Sequence, residues 1–424
     1  MTKVGVAAMS ATVLVASGCS TNAAQFTQLP VPDDATFTPQ QQVQAPDTAL
    51  QAAVTLAHAL SEEGGSQRGQ NTVNSPLSAI IALSLLSEGA SPTAQAQLET
   101  VTGLPSSQRA QIVNGWISTI KQWDRLDEFD PDALPPTPIV HLANQIAIDN
   151  ETQPAEEYLR TLSRAYDARA IQMDLGAASS KKVLDSWVEK HTGGLIKESA
   201  IQPREDLKLV LANAILFAAG WEEPFEGEST SPQPFTTASG EVVTTDTMTG
   251  DLYTVVAEES GWLAAQLRYQ DGLEATVILP PVGTLPDQLT APMYEKLIAK
   301  IDSGQPQDVE LSLPKYETTS TLDLAKVMKK LGATEVFQPE ARPLPQLDTE
   351  DDLAVGEAIQ QARIEVNEDG TKAAAVTEIG VKVMGMPVEG EEIRIDRPFL
   401  TVVRSQDLPV PLFWAQIGNP KTGQ

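Results

Sequence analysis

The spacing of hydrophobic residues changes along the chain, from helical in the first half to extended in the second. Apolar positions that recur every three to four residues predict helices, over residues 47–60, 76–86, 94–101, 109–123, 155–166, 180–190 and 322–331. Short apolar or alternating runs predict strands, over residues 139–148, 209–217, 253–256, 264–269, 274–279 and 309–313, at 393 and over 399–403. Helices come before strands without regular alternation, so we expect an α+β fold.

One segment near the carboxyl end alternates between two kinds of side chain. Every second residue is small or apolar, namely Thr371, Ala373, Ala375, Thr377, Ile379, Val381 and Val383. The charges fall on the opposite parity, at Lys372, Glu378 and Lys382. This period of two is typical of a strand with one buried face. Helical spacing of Val376, Ile379 and Val383 is the competing interpretation, but the β-branched content favours the strand.

Breaks in the pattern flank this segment on both sides. Asn367-Glu368-Asp369-Gly370 precedes it as a turn, in which Gly370 can take a positive φ and act as a pivot. Gly385-Met386-Pro387 follows it. A strand of small residues between a glycine hinge and such a tip resembles the reactive-centre loop of the serpins, a family of serine protease inhibitors.

Further blocks of sequence carry the same resemblance in the same order. They include Asn74-Ser75-Pro76 with the apolar run after it, residues 211–217, Leu313-Pro314-Lys315-Tyr316, Arg397-Pro398-Phe399-Leu400 and Gly418-Asn419-Pro420. Together they extend over roughly residues 47–420, which we interpret as a single domain. The resemblance implies a helix-rich amino-terminal half, a large central mixed sheet with further sheets, and an exposed reactive-centre loop near the carboxyl end.

The resemblance also implies a mechanism and the residues that take part in it. A target serine protease would attack the loop as a suicide substrate, and the cleaved loop would enter the central sheet and trap the covalent acyl-protease. The reactive bond would be Met384-Gly385, with Met386-Pro387 as the other candidate. The unbranched apolar Met384 suits elastase-like, chymotrypsin-like or subtilisin-like proteases. The hinge and inserting strand would comprise Glu368, Gly370, Thr371, Ala373, Ala374, Ala375 and Thr377.

A second group of residues resembles the part of serpins that controls opening of the sheet. Ser75, Ser78 and Asn213 match a buried polar cluster beneath the sheet, and Gln360 stands where many serpins carry a histidine. Trp221 resembles the tryptophan at the top of the sheet where insertion begins. The simpler interpretation is helix capping by Ser75, a satisfied buried amide at Asn213 and a core role for Trp221.

The sequence at the amino terminus predicts that the protein is exported from the cytoplasm. Residues 1–18 form an apolar run that ends Ala16-Ser17-Gly18 before Cys19, the only cysteine in the chain. We interpret them as a bacterial lipoprotein signal peptide, cleaved before Cys19, with Cys19 as the lipid attachment site; a plain secretory peptide cut near Ala23-Ala24 is the alternative. Residues 19–46 are rich in Gln, Thr, Pro and Asp and predict a flexible tether. We therefore expect an extracytoplasmic protein, lipid-anchored to the cell membrane or secreted.

Charge and motifs narrow the remaining function classes. The net charge of −28 and a pI near 4.4 argue against nucleic acid, anionic membrane surfaces and heparin-like cofactors, so a lipid anchor would be the only membrane contact. His58, His141 and His191 lack metal-ligand spacing, and we expect no cofactor and a monomer.

Two short motifs raise the possibility of an enzyme. Ser179-Ser180-Lys181-Lys182 and Lys421-Thr422-Gly423 match motifs of penicillin-recognising enzymes. With Lys421-Thr422-Gly423 so near the chain end and no S-D-N between them, we treat them as chance matches and expect no enzyme. A non-inhibitory serpin-like carrier or chaperone, and a solute-binding lipoprotein, are the alternative functions.

Overall fold

The computed structural model describes residues 26–30, 35–40, 43–66, 69–350, 352–371 and 391–421. Its helices are α1 (Asp47–Glu63), α2 (Pro76–Glu88), α3 (Pro92–Thr102), α4 (Arg109–Ile120), α5 (Glu156–Tyr166), α6 (Ser180–His191), α7 (Ala291–Ser303) and α8 (Leu324–Lys330). Across these ranges, no helix combines the length and apolar character needed to cross a bilayer.

The strands begin and end as follows: β1 (Phe26–Gln28), β2 (Thr72–Asn74), β3 (Ile139–Asp149), β4 (Ala170–Met173), β5 (Leu209–Gly220), β6 (Ser231–Thr236), β7 (Val242–Thr254), β8 (Val256–Glu259), β9 (Trp262–Arg268), β10 (Leu273–Leu279), β11 (Gln307–Pro314), β12 (Tyr316–Asp323), β13 (Glu357–Val366), β14 (Gly370–Thr371), β15 (Glu391–Arg394), β16 (Phe399–Ser405) and β17 (Phe413–Ile417). They form a central sheet in the order β1-β4-β3-β5-β14-β13-β12, a second sheet β2-β17-β16-β10-β9-β8 and a third sheet β15-β11-β7-β6. The predicted α+β class is confirmed.

Helix α2 lies beneath the central sheet. Ser75 caps its first turn by accepting a hydrogen bond from the Ser78 amide, and Pro76 occupies the first helical position, where no amide hydrogen is required. All residues from Pro76 to Ser87 are buried. A helix that is apolar or small on every face belongs inside a protein, which places α2 between the sheets.

Strand β5 is the centre of the large sheet. It is buried along its whole length except at Gly220, because it pairs antiparallel with β3 on one side and parallel with β13 on the other. A strand buried on both faces is typically a continuous run of apolar residues. The sequence of β5 is such a run apart from Asn213. That asparagine is therefore a buried polar group that requires partners.

The structure contains elements that the hydrophobic pattern did not predict. Helix α7 was missed, as were strands β2, β4, β6, β12, β13 and β17, and the predicted strand at 253–256 spans the end of β7 and the start of β8. Helix α8 begins at Leu324, because residues 322–323 still belong to β12. Strand β12 is rich in threonine and serine with alternating burial, so it offers little apolar signal. The neighbouring strand, rather than local hydrophobicity, determines its conformation.

The structure departs most from the prediction in the segment expected to be a flexible tether. Residues 26–28 form β1, which pairs antiparallel with the edge strand β4, and the Gln40 amide donates to Asn114 Oδ1 at 2.8 Å. Residue Ala35 is buried. The prediction of a tether across residues 19–46 is therefore wrong for the described part of that stretch. An exposed sheet edge accepts a strand through main-chain hydrogen bonds alone, which an apolar pattern does not reveal.

Candidate functional site at the opening of the central sheet

Strands β5 and β13 separate towards one end of the central sheet. They pair directly from Val210–Glu357 to Ala214–Gln361. Further along, β14 lies between them, with Thr371 opposite Ala219 on β5 and opposite Val366 on β13. Within the described residues, positions 215–218 of β5 have no partner on the β13 side. The sheet is thus closed at one end and already holds a short third strand at the other.

A four-residue turn brings β14 into this opening. Asn367 Oδ1 accepts hydrogen bonds from the amides of Asp369 (3.1 Å) and Gly370 (3.2 Å), and the Asn367 amide donates to the Gly370 carbonyl at 3.0 Å. An asparagine side chain that bonds its own following backbone is a common turn former. The turn reverses the chain, so β14 runs antiparallel to both of its neighbours.

Gly370 is required here for space rather than for an unusual backbone angle. A Cβ at this position would lie 2.2 Å from the Ala219 carbonyl oxygen and 2.8 Å from the Gly220 Cα. Gly370 is not among the residues with positive φ. The prediction that it acts through positive φ is wrong, and its role is to let two main chains approach closely.

The hinge is fixed on its other side by an aromatic pair. Trp221 Nε1 donates to the Asn367 carbonyl at 3.0 Å, and the Trp221 amide donates to the Asp369 carbonyl at 2.9 Å. The Trp221 ring stacks on Tyr269 with 4.4 Å between centroids. Tyr269 and Thr371 join their hydroxyls in a hydrogen bond, and Thr371 is only 1% exposed. Thr371 is therefore already an inward-facing side chain of the sheet.

Glu368 connects the outer side of the turn to Thr230 and Lys315, which lie directly before β6 and directly after β11 of the third sheet. Its carboxylate accepts from Thr230 Oγ1 at 2.7 Å and forms an ion pair with Lys315 Nζ at 2.9 Å. Burial raises the pKa of Glu368, but the hydrogen bonds from Lys315 and Thr230 outweigh burial, so its pKa lies below the usual range. Glu368 is thus held as a carboxylate at neutral pH.

A polar cluster lies at the closed end, beneath the sheet. Gln360, which is fully buried, accepts from the Ser75 amide (2.9 Å) and donates to the Ser75 carbonyl (3.0 Å) and to Asn213 Oδ1 (2.9 Å). Asn213 Nδ2 lies near the Ser78 carbonyl (3.1 Å), the Ser78 hydroxyl and Asn144 Oδ1 (2.6 Å). Its two hydrogens are shared among these three acceptors.

The hydrogen bond between Gln360 and Asn213 joins the two strands that diverge. Gln360 belongs to β13 and Asn213 to β5, and they face each other in the direct pairing of these strands. The cluster therefore brings together Ser75, Ser78, Asn213 and Gln360. Trp221 lies eight residues beyond Asn213 along the chain, roughly 26 Å away in an extended strand, so it belongs to the hinge end and not to the cluster.

Several residues singled out from the sequence lie outside the described ranges, namely Cys19, Ala373, Ala374, Ala375, Thr377, Met384 and Gly385. Conversely, sequence reasoning missed Tyr269, which contacts the hinge, and Asn144, which contacts the cluster. Lys315 was part of the Leu313-Pro314-Lys315-Tyr316 block, but no local pattern pointed to its ion pair with Glu368.

Comparison with known proteins identifies the family. A sequence model described as serpin (serine protease inhibitor) matches residues 48–420. The chain belongs to the serpin family. A serine protease inhibitor from Cyanea capillata is 30% identical over 292 residues, which cover 66% of this chain and 76% of the relative. Human neuroserpin is 26% identical over 370 residues, covering 83% and 87% of the two chains.

Solved serpin structures share the fold. The native state of the thermophilic serpin tengpin superposes with a TM-score of 0.79 at 21% identity and covers 93% of this chain and 100% of that one. Thyroxine-binding globulin in complex with thyroxine superposes with a TM-score of 0.75 at 24% identity, covering 89% and 99%. At these identities the likeness concerns the architecture of this serpin and not its ligands or targets.

Proposed function

We propose that this serpin inhibits serine proteases as a suicide substrate whose cleaved loop becomes a strand of the central sheet. The observation that carries the proposal is β14, because Gly370 and Thr371 already pair with β5 and β13 in the position where such a strand would grow. The family match and the relatives named as serine protease inhibitors support the same activity.

The covalent step follows acyl-transfer chemistry. The protease serine Oγ attacks the carbonyl carbon of Met384, the bond to the Gly385 nitrogen breaks, and that nitrogen leaves as an amine after taking a proton from the protease histidine. The carbonyl of Met384 remains bonded to the protease as an ester. The amino-terminal side of the loop is then separated from Gly385, carries the protease at Met384 and is still continuous with β14.

Extending the β14 register gives the inserted arrangement. Because Thr371 lies opposite Ala219 and Val366, an antiparallel continuation brings Thr377 opposite both Asn213 and Gln360. Residues of the same parity as Thr371 would face inward, and all of them are small or apolar. Insertion would replace the direct Gln360–Asn213 hydrogen bond with a threonine hydroxyl between the two amides.

The energy released would suffice to displace the bound protease. The direct β5–β13 ladder would be lost, and the new strand would form ladders on both sides. A gain of roughly ten main-chain hydrogen bonds at about 1 kcal/mol each corresponds to about 10 kcal/mol. The uncleaved protein would then be metastable, and the barrier to opening would determine its lifetime.

Incubation with subtilisin, chymotrypsin or elastase, followed by denaturing electrophoresis, tests the proposal. We expect an SDS-resistant complex with at least one of them. Ala375→Arg would place a charge on the inward face, and we expect it to shift the products from complex to cleaved free protein. Lys372→Ala on the opposite parity is the matched control. Cleavage of the parent without any complex would favour a non-inhibitory serpin and contradict the proposal.

Thr371, the first inward residue of the alternating segment, is a poorer position for this test. It is already buried against Tyr269 before cleavage. Arginine there would disturb the hinge of the uncleaved protein, so that a loss of inhibition would not report on insertion. Ala375 lies two inward positions further and avoids this ambiguity.

We also propose a lipid anchor at Cys19, which rests on the sequence alone. Cys19→Ala should release the protein from the membrane fraction or prevent its processing. Processing and membrane association like those of the parent would contradict the lipoprotein interpretation.

A further inference from the structure

The edge of the central sheet at β1 lies close in sequence to the proposed lipid attachment site. Phe26 pairs with Met173 in the outermost strand of the sheet. Only residues 20–25 separate Phe26 from Cys19, and a fully extended chain of that length reaches about 25 Å at most. A compact domain of the size of residues 47–420 is about 50 Å across. A lipid anchor at Cys19 would therefore bring this edge, and not the opposite side of the protein, to the membrane.

Phe26 presents an aromatic side chain to solvent on this edge. All three residues of β1 are exposed, and Phe26 is 54% exposed. Pairing with β4 uses only the main chain of β1, so it does not require an aromatic residue there. Phenylalanine is among the residues that amphipathic surfaces insert into the boundary between headgroups and acyl chains. Phe26 thus offers an apolar contact to a lipid surface.

Basic residues surround the recess that Phe26 lines. They come from the end of α4, from the residue before β4 and from α6, namely Lys121, Arg169, Lys182 and Lys190. Arg169, Lys182 and Lys190 are exposed and form no ion pair within the described part of the chain. Each basic side chain held near an anionic bilayer adds to the attraction between protein and lipid.

The local balance of charge is opposite to that of the whole chain. Acidic residues outnumber lysine and arginine by 57 to 29 in the sequence, but only Asp124 and Asp167 are acidic among the residues that line this recess. Asp167 is paired with Lys121, and Asp124 Oδ1 lies 2.7 Å from His141 Nδ1. The net charge of −28 opposes the approach of other faces to an anionic membrane. This edge is therefore the face that such a membrane attracts.

The edge is remote from the hinge. Strands β4, β3 and β5 lie between β1 and β14, a lateral distance of about 19 Å at the usual strand spacing. Along the strands, Thr371 lies opposite Ala219, which is about 33 Å beyond Leu209 at the start of β5. Leu209 pairs with Ile148, and the next residue of β3 pairs with Met173, the partner of Phe26. A membrane at this edge would leave the hinge accessible to a protease.

We propose that the edge of the central sheet at β1 docks on the anionic phospholipid surface to which Cys19 is anchored. Phe26 enters the interfacial layer, and Arg169, Lys182 and Lys190 contact lipid phosphates. This proposal rests on the lipid anchor proposed above and assigns the face of the serpin that meets the membrane. The anchor makes docking intramolecular, so that a few weak attractions suffice to hold the contact.

Chemical attachment to vesicles tests docking independently of lipidation in the cell. Cys19 is the only cysteine, so the mature chain that begins at Cys19 can be coupled to a maleimide-bearing lipid. One set of vesicles is phosphatidylcholine, and the other is phosphatidylcholine mixed with phosphatidylglycerol. The measurement is the rate of acetylation of each lysine, followed by mass spectrometry.

Lysines at the docked edge should be protected on the anionic vesicles. Acetylation of Lys121, Lys182 and Lys190 should be at least about threefold slower there than on phosphatidylcholine, because contact with lipid phosphates excludes the reagent. Exposed lysines on other elements, Lys296 and Lys421, should react equally on both. High salt should remove the difference, because it screens exposed charges.

Two triple variants separate local from overall charge. Arg169→Gln, Lys182→Gln and Lys190→Gln combined should abolish the protection of Lys121, which remains as the reporter. Lys296→Gln, Lys329→Gln and Lys421→Gln combined change the net charge by the same amount at exposed positions elsewhere and should preserve it. Phe26→Ser should reduce the protection. Circular dichroism and thermal melting of each variant check that it folds.

Four outcomes would overturn the proposal: equal acetylation on the two kinds of vesicle, equal protection of lysines on every face, protection of Lys121 that survives the local triple variant, or protection that appears only at high protein density. The last of these would indicate contact with a second copy of the chain instead of lipid. The anchor and the docking fail separately, because Cys19→Ala protein that stays in the membrane fraction contradicts the anchor, whereas these four outcomes contradict the docking alone.

Discussion

Gln360 is predicted to hold the central sheet closed, and removal of its side chain should accelerate spontaneous opening. Gln360→Ala deletes three buried hydrogen bonds, of which the one to Asn213 joins β13 to β5. A neutral hydrogen bond contributes about 1 kcal/mol net, and a buried group left without its partner costs about 1–3 kcal/mol. Both contributions disappear once the strands separate and water reaches Asn213.

The expected change in rate follows from these values. Loss of the interstrand bond, together with the strain of an unpartnered Asn213 Oδ1 in the closed state, lowers the barrier by about 2 kcal/mol. This corresponds to about a thirtyfold faster conversion of the active form. The assay is incubation below the melting temperature, with aliquots analysed by native electrophoresis for latent or oligomeric forms and by residual complex formation with the protease.

Gln361→Ala is the matched control. Gln361 is the next residue of β13 and is also buried, but its amide bonds the Ala200 amide and the Glu198 carbonyl on the other face of the sheet. It should reduce the free energy of unfolding to a similar extent and change the conversion rate by less than about threefold. Equal conversion rates for the two variants would refute the idea that the Gln360–Asn213 bond controls opening.

Three further predictions concern the hinge and the loop. Gly370→Ala should push the hinge away from Ala219, because its Cβ would lie 2.2 Å from that carbonyl oxygen, and electrophoresis should show more cleaved protein per complex; an unchanged ratio would contradict this. The depressed pKa of Glu368 implies a stabilisation that is present above its unfolded pKa of about 4.3 and lost as pH falls through the lower folded value. Glu368→Gln should therefore lower the urea midpoint at pH 7 but not near pH 2, and an equal deficit at both would count against it. Met384→Arg should shift inhibition towards trypsin-like proteases, with a new amino terminus at Gly385 by mass spectrometry; cleavage mainly at Lys382 or Met386 would move the assigned bond.

The sequence by itself determined those features that depend on neighbours along the chain. The continuous apolar run of β5 indicated a strand buried on both faces, and Ser75-Pro76 indicated the start of α2, since a cap and a proline act within one turn. The alternation of side chains also placed Thr371 on the inward face of the segment, and its side chain is buried. The turn at residues 367–370 was identified from its residue types, although the reason for its glycine was not.

Only the tertiary structure decided which distant residues meet. Gln360 bonds Ser75 across 285 positions of sequence, and Thr371 meets Tyr269 across 102. His141 and His191 looked isolated in the sequence, yet their rings are in contact. Hydrophobic periodicity reports which face of an element is buried but not which element covers it.

At the edges of the central sheet, the tertiary structure also decides which main-chain groups are paired. Strand β1 forms in a segment without apolar periodicity because the edge of β4 supplies its hydrogen bonds, and β3 is not paired with β4 before Ile146. Every residue except proline carries the same backbone donor and acceptor. Their pairing therefore leaves no trace in residue type, and only the folded arrangement of strands determines where an edge is covered and where it is open.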